Sequence, residues 1–322
     1  MKQKILLILL ALTLIVVSGC TNGSGPGQGT HANFVGGTRG VEMSFVTNAP
    51  PREVADQGQD SFEVVVDLLN RGEHEVPPED VFVELEGFSP LTFGVTHADL
   101  IQYSEYELAP VYKSPDGLVI YPTSSPVIFT SFNYGEMAPN DEVYTFRAKV
   151  CYKYETIAVS DICVKPRYNL DEEHDLCRVS GPRRISNSGA PIQVSEIRQV
   201  SRGIDRTEFT FTIQHKDPDP KGRVSSPDSQ CDTQSFTNKD KVFVRVSGII
   251  ENPATDTVTC RGLIGGDSSS GYATITRNQP TTVSCVVYLE NRNTRIEPFR
   301  INIVYDYTTY IDETVRVIHT PT

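Results

Sequence analysis

The chain has 322 residues, 38 % of them hydrophobic and 22 % charged, with 21 Pro, 23 Gly, 14 Tyr, 14 Phe and no Trp. That balance excludes disorder throughout and is long enough for two domains, each with a core of its own. A formal charge of −12 with no run of Lys or Arg excludes a nucleic-acid binder, because neutralising phosphates takes a basic face.

Lys2 and Lys4 precede a 13-residue apolar run, Ile5 to Val17, which leads into Ser18, Gly19 and Cys20. Crossing the hydrocarbon core takes about 20 apolar residues, so residues 1–19 read as a cleaved signal peptide rather than a membrane span. Val17-Ser18-Gly19-Cys20 resembles the lipobox of prokaryotic lipoproteins, in which the Cys is lipidated and becomes the new N-terminus. The resemblance implies a chain held by lipid on Cys20 at the extracellular face of the cell membrane. Each buried CH2 of such chains contributes about 0.8 kcal/mol. Cleavage removes Lys2 and Lys4 and no acid, so the mature chain is more anionic still. Residues 20–40 have almost no apolar content and seven Gly, at 23, 25, 27, 29, 36, 37 and 40, and predict a flexible tether.

From Val41 the apolar period is two, the mark of strands. Phe62, Val64, Val66 and Leu68 define one, Val81, Val83 and Leu85 another, and Tyr144, Phe146, Ala148, Val150 and Tyr152 a third. Residues 91–140 lack this regularity and read as a long insertion. The first domain is expected to span 41–166, and the polar stretch 167–190 to link it to a second at 191–322. There the strands are marked by Ile192 and Val194, Phe209 to Ile213, Val242 to Val246, Val283 to Leu289, Phe299 to Tyr305, and Val315 with Val317. Short strands without intervening helices predict an all-β chain of two tandem antiparallel immunoglobulin-like β-sandwiches. The lack of Trp excludes the antibody-type Cys, Trp, Cys core.

Six cysteines follow Cys20: Cys151, Cys163, Cys177, Cys231, Cys260 and Cys285. Six permit 15 pairings, which alternation narrows. Cys151 and Cys163 are both out of phase with their apolar neighbours, so a hairpin turning near Ile157 would bring them together on its outer face. Cys260 and Cys285 share the core phase of their strands, which leaves Cys177 for Cys231. Three disulfides suit an oxidising exterior. Zinc prefers close pairs of ligands, and His174 with Cys177 is a single such grouping, so no metal is expected.

No metalloprotease, nucleophile-elbow or phosphate-loop motif is present. The segment Gly265 to Gly271 contains three serines, but a tight surface loop accounts for it better than a nucleophile. His97 and Asp99 could pair, although an exposed loop histidine is commoner. Asp217 and Asp219, with Asp228 and Asp232 nearby in sequence, are the oxygen donors a calcium ion would use, set against the plainer reading of a Pro-stiffened turn. Tyr305, Tyr307 and Tyr310 suit either an adhesive patch or a core border.

Four segments carry a wider resemblance: residues 45–51 (FVTNAPP), 64–72 (VVVDLLNRG), 151–166 (CYKYETIAVSDICVKP) and 189–191 (GAP). On these the chain resembles uncharacterised archaeal surface lipoproteins with tandem immunoglobulin-like domains of CARDB and NEW3 style. The resemblance implies binding or scaffold work at the cell surface and no catalytic residue. The expected function is a non-enzymatic adhesion or envelope-scaffold module, without cofactors, whose partner is a surface protein or glycan. The alternatives are an extracellular carbohydrate-binding or carbohydrate-processing component, with a pocket in residues 91–140, and a surface filament subunit.

Overall fold

The computed structural model describes residues 33–165, 177–202, 206–248, 257–277, 279–288 and 294–321. The predicted leader, Cys20, most of the tether and His174 lie outside them. Antiparallel pairing joins β1 (Val41–Phe45), β3 (Ser61–Asn70) and β8 (Ser125–Asn133) in the order β1-β3-β8. A five-stranded sheet runs β10 (Gly181–Arg183), β12 (Ile192–Arg202), β13 (Arg206–His215), β18 (Thr281–Tyr288), β16 (Thr257–Arg261). A nine-stranded sheet follows the path β17 (Ser270–Thr274), β15 (Lys241–Ser247), β19 (Arg295–Ile318), β9 (Glu142–Val164), β4 (Val81–Glu86), β5 (Ile101–Tyr103). Along it, β2 (Glu53–Ala55) and β14 (Arg223–Ser225) pair with β19, and β11 (Ile185–Asn187) pairs with β9. A separate hairpin is made by β6 (Tyr112–Lys113) and β7 (Val119–Ile120). The chain is all-β, as its alternation predicts.

The 23-residue β9 and the 24-residue β19 organise everything else. They pair without a break from Glu142↔Val317 to Val164↔Arg295, a ribbon of roughly 75 Å at about 3.3 Å per residue. Its even positions on β9 point inward. Near one end Phe146 meets Phe62 and Phe132 of the three-stranded sheet, with ring centroids 6.1 and 5.9 Å away. Near the other, Phe299 lies 4.7 Å from Phe209 of the five-stranded sheet. Each smaller sheet therefore forms a sandwich with its own half of one shared layer. Near the Phe146 end the outward positions carry charge, as in the Lys149 pairs with Glu84 and Glu86 and the Arg147–Asp312 pair, which keeps that part of the face wet.

This arrangement corrects two sequence expectations. No turn occurs at Ile157, since β9 runs straight through it, and the stretches marked by Phe299 to Tyr305 and by Val315 to Val317 are one strand, β19. Polar residues interrupt the apolar phase of both long strands, so alternation alone ends each of them short. The hydrogen bonding also crosses the expected linker at 167–190: β4, β5 and β9 from residues 41–166 share a sheet with β15, β17 and β19 from 191–322. Within residues 91–140, β8 went unseen because its apolar phase slips, from Val127 and Phe129 to Phe132, where Ser131 has a φ of 70° and the pairing with β3 shifts.

The middle of the ribbon is filled by four tyrosines. Tyr152 pairs with Tyr307 and Tyr154 with Tyr305 in the register, and all four are fully buried. Burying such rings stabilises by about 2–3 kcal/mol each, provided the hydroxyls keep hydrogen bonds. They do. Val41 N donates to Tyr152 Oη, and Tyr154 Oη donates to Asn70 Oδ1 at 3.0 Å. Tyr305 Oη lies 3.0 Å from Thr156 Oγ1, and Tyr307 Oη donates to Asp217 Oδ2 at 2.9 Å. Tyr152, Tyr154 and Tyr307 thus hold the start of β1, the end of β3 and the turn after β13, Tyr305 bonds to the neighbouring β9, and Gly40 leaves the space for Tyr152, since a Cβ there would run into its hydroxyl.

Candidate functional site

All six described cysteines are bonded: Cys151 to Cys231, Cys163 to Cys177, and Cys260 to Cys285. The last pair matches the sequence expectation and joins residues directly opposite in β16 and β18. The other two correct it. Cys151 and Cys163 do project outward as their phase predicts, but on one uninterrupted strand they stand 12 residues apart, roughly 40 Å at strand rise. Each instead takes a partner from a segment laid over the outer face of the sheet.

The four aspartates considered as calcium ligands divide among separate tasks. Asp217 Oδ1 accepts from Asp219 N and Oδ2 from Tyr307, while Asp219 Oδ1 accepts from Lys221 N and Oδ2 from Thr309 Oγ1. Arg277 donates to the carbonyls of Asp217, Asp219 and Gly222, closing the turn from the opposite side. Each carboxylate thus closes the turn with one oxygen and ties it to β19 with the other. Asp228 pairs with Lys153 at 2.6 Å, and Asp232 accepts from the backbone of Gln234 and Ser235. Among the described residues no group of three or more His, Cys, Asp or Glu is placed to hold a metal.

Asp99 accepts from the backbone and hydroxyl of Thr96 rather than from His97, which is exposed. The Gly265 to Gly271 segment is a surface turn as far as Ser269, in which Asp267 accepts from Ser269, and its last two residues open β17. Tyr305 and Tyr307 are core, whereas Tyr310 is partly exposed and receives Arg147 over its ring at 4.0 Å.

Three carboxylates that sequence reasoning missed act as hubs. Asp306 accepts from the backbone of Asp228, Ser229 and Cys231 and from the Ser229 hydroxyl, fixing the loop that carries Cys231. Burial pushes its carboxyl up, and those donors oppose the shift. Asp56, fully buried, accepts from Thr320, His319 and Ala138, and the Thr320 hydroxyl above all holds it well below the usual carboxylate range. Glu73 accepts from the backbone of Val35, Gly36 and Gly189. The only sequence signal for any of them is the acid in the middle of the 304–312 stretch (VYDYTTYID), at an outward position of a buried strand.

Among the described residues, two groups of exposed apolar and aromatic side chains stand out. One flanks a cleft of about 400 Å3 lined by Ser226, Asp228, Asn238, Lys241, Ile264 and Tyr272. Ile264 is 75 % exposed beside it, and Phe236, on the loop that supplies Asn238, is 93 % exposed. Tyr272 sits on the outermost strand β17, with its ring 5.1 Å from Phe243. A large apolar side chain left in water is a recognised mark of an interaction site when others cluster with it. The other surface is the β6–β7 hairpin with its flanking tyrosines.

No family model matches the chain, and no curated protein does. Among solved structures, a secreted serine protease, VesC from Vibrio cholerae, aligns at 12 % identity over 83 % of this chain, with a TM-score of 0.17. The chain spans half of that protease's length. A CFA/I chaperone–tip adhesin complex aligns at 10 % identity over 91 % of this chain and 87 % of its own, with a TM-score of 0.09. The enterotoxigenic E. coli adhesin CfaE aligns at 9 % identity over 91 % of this chain and 90 % of its own, also at 0.09.

Proposed function

We propose that the chain is a non-enzymatic module of the cell surface, held by lipid on Cys20, that binds a partner protein or glycan at the cleft beside Tyr272. The observation that carries this reading is a polar cleft on one edge of the second sandwich that is lined by exposed Ile264 and Tyr272 and by Thr237, the chain neighbour of exposed Phe236. An aromatic ring beside amide, hydroxyl and ammonium groups offers a stacking face and hydrogen bonds together, which suits either partner. The acidic residues support the scaffold role, since each oxygen of the Asp217 and Asp219 carboxylates holds the turn or ties it to β19.

Photo-crosslinking from position 236 on intact cells tests it. A discrete adduct from the wild-type surface that disappears with Lys241→Glu supports the reading. Absence of any protein or glycan adduct, with the chain present at the surface, overturns it. The carbohydrate reading draws on a second aromatic pair, Phe82 and Tyr103, 5.5 Å apart and beside a cleft of about 200 Å3 that also contains Glu79 and Asp80. A glycan array separates the two, because a single oligosaccharide hit abolished by Tyr103→Ala rather than by Phe236→Ala favours the second.

A further inference from the structure

The β6–β7 hairpin stands out as apolar surface with no partner layer. All four of its paired residues are exposed, and so are Leu118 at 66 % and Tyr121 at 63 %. A hairpin of this size is marginal alone in water. Its turn is nevertheless well built: Gly117 N donates to Ser114 O, and Ser114 N to Leu118 O. Gly117 has the φ of 85° that this turn needs. Between Leu108 and Tyr121 the charges are Lys113 and Asp116 alone, so the stretch is neutral on a chain of −12. Tyrosines flanking Leu118, Val119 and Ile120 make the composition of a membrane interface, with aromatic rings at headgroup level and aliphatic groups beyond them.

Position on the fold supplies the occupant. The hairpin's base is held by the loop after β3: Val111 N donates to Gly72 O at 2.8 Å, and Leu108 exchanges two backbone hydrogen bonds with Val76. The next residue on that loop, Glu73, grips the start of the described chain through Val35 and Gly36. The tether and the hairpin therefore leave the body from adjacent residues. Thirteen residue steps separate Cys20 from Asn33, so the body stays within roughly 45 Å of an anchored Cys20. At that distance the bilayer is the apolar phase present at the highest local concentration.

We infer that the 111–121 hairpin is a second membrane contact, which seats Tyr112, Leu118, Ile120 and Tyr121 in the bilayer interface. The inference rests on the lipid-anchor reading for its geometry. Stable attachment generally takes two signals, and the hairpin adds apolar burial where polybasic attraction is ruled out by the acidic body.

The lack of Trp makes the test direct. The full chain carrying Leu118→Trp, and a control carrying Phe236→Trp, are added to phosphatidylcholine vesicles whose acyl chains are brominated near the headgroup. For insertion to about 5–10 Å, Leu118→Trp emission shifts to the blue and falls about twofold, while Phe236→Trp is unchanged. Unquenched Leu118→Trp on vesicle-bound protein overturns the inference. So does a blue shift without vesicles that grows with protein concentration, which assigns the hairpin to a second copy of the chain. The N-terminal mass of the protein purified from cells decides the anchor separately: acylation with no quenching sinks only the hairpin, and quenching at high lipid without acylation sinks only the anchor.

Discussion

Protonating His215 should weaken the fold in a defined window of pH. Its Nε2 lies 3.1 Å from Tyr307 Oη, whose proton goes to Asp217, so Nε2 carries the hydrogen and donates to the tyrosine oxygen. Nδ1 is then the bare nitrogen, buried and without a partner among the described residues. Burial first, then the charges of Arg277 and Arg223 against the weaker pull of Asp219, lower the imidazole from 6.5 to about 4. Between those values the unfolded chain binds a proton that the folded chain does not, so stability is complete above pH 6.5 and falls as pH drops toward 4. A gap of about 2.5 units at about 1.4 kcal/mol each gives about 3 kcal/mol, or about 2 after allowing for partial exposure of the ring. The assay is urea unfolding from pH 7.5 to 4.0, comparing the native chain with His215→Gln, which retains a donor for Tyr307. His74, lowered chiefly by burial and also in contact with the tyrosines, contributes in the same direction in both proteins and cancels. Superimposable pH profiles for the two proteins, or an NMR titration placing His215 above 6, would refute the reasoning.

Removing the Cys151–Cys231 bridge, which closes 80 residues, should cost about 4.5 kcal/mol, against about 3.5 for the 25-residue Cys260–Cys285 bridge. Denaturant midpoints of the two double-serine variants in the reverse order would contradict the loop-entropy account. Gly40→Ala is expected to lose about 1–3 kcal/mol by driving a methyl into the Tyr152 hydroxyl. Tyr152→Phe alone should lose about 1, and the pair less than the sum, as a thermal double-mutant cycle will show. Asp56→Asn should flatten the acid limb of the stability curve: the carboxylate is held low in the fold, so its contribution is present above about pH 4 and lost below it. The same variant should loosen residues 319–320 and speed their removal by carboxypeptidase, because an amide nitrogen replaces one of the two oxygens that accept from them.

The strand class and most strand positions were legible because a half-buried strand writes its phase into alternate residues. Phe62 to Leu68, Val81 to Leu85 and Phe209 to Ile213 fall inside β3, β4 and β13. The length of β9 and β19 was not legible. At the middle of the ribbon both faces are covered, the inner by tyrosines and the outer by the 223–231 segment, so Asp306, Thr308 and Thr309 are buried on a strand whose phase no longer separates polar from apolar. The pairing of Cys151 failed for the same reason. Its outward phase is legible, but its partner arrives from a loop 80 residues away that no local pattern announces. The carboxylate hubs were illegible because their partners are mostly backbone N–H groups, which every residue except Pro possesses.

Glu73 gives the molecule a mechanical character. Tension applied through the leading segment meets first the Val35 and Gly36 amides on that one carboxylate, then the Gly37 carbonyl on Ala190 N and the Gly40 carbonyl on Arg71 N, before β1 is loaded at Val41. These contacts lie near the midpoint of the long ribbon, where Tyr152 and Tyr154 reach Val41 and His74, so a pull there leaves an arm of sheet to either side. A body suspended from its centre can swing either arm outward while the hooks at the centre, few and individually weak, give way and re-form ahead of the sandwiches themselves.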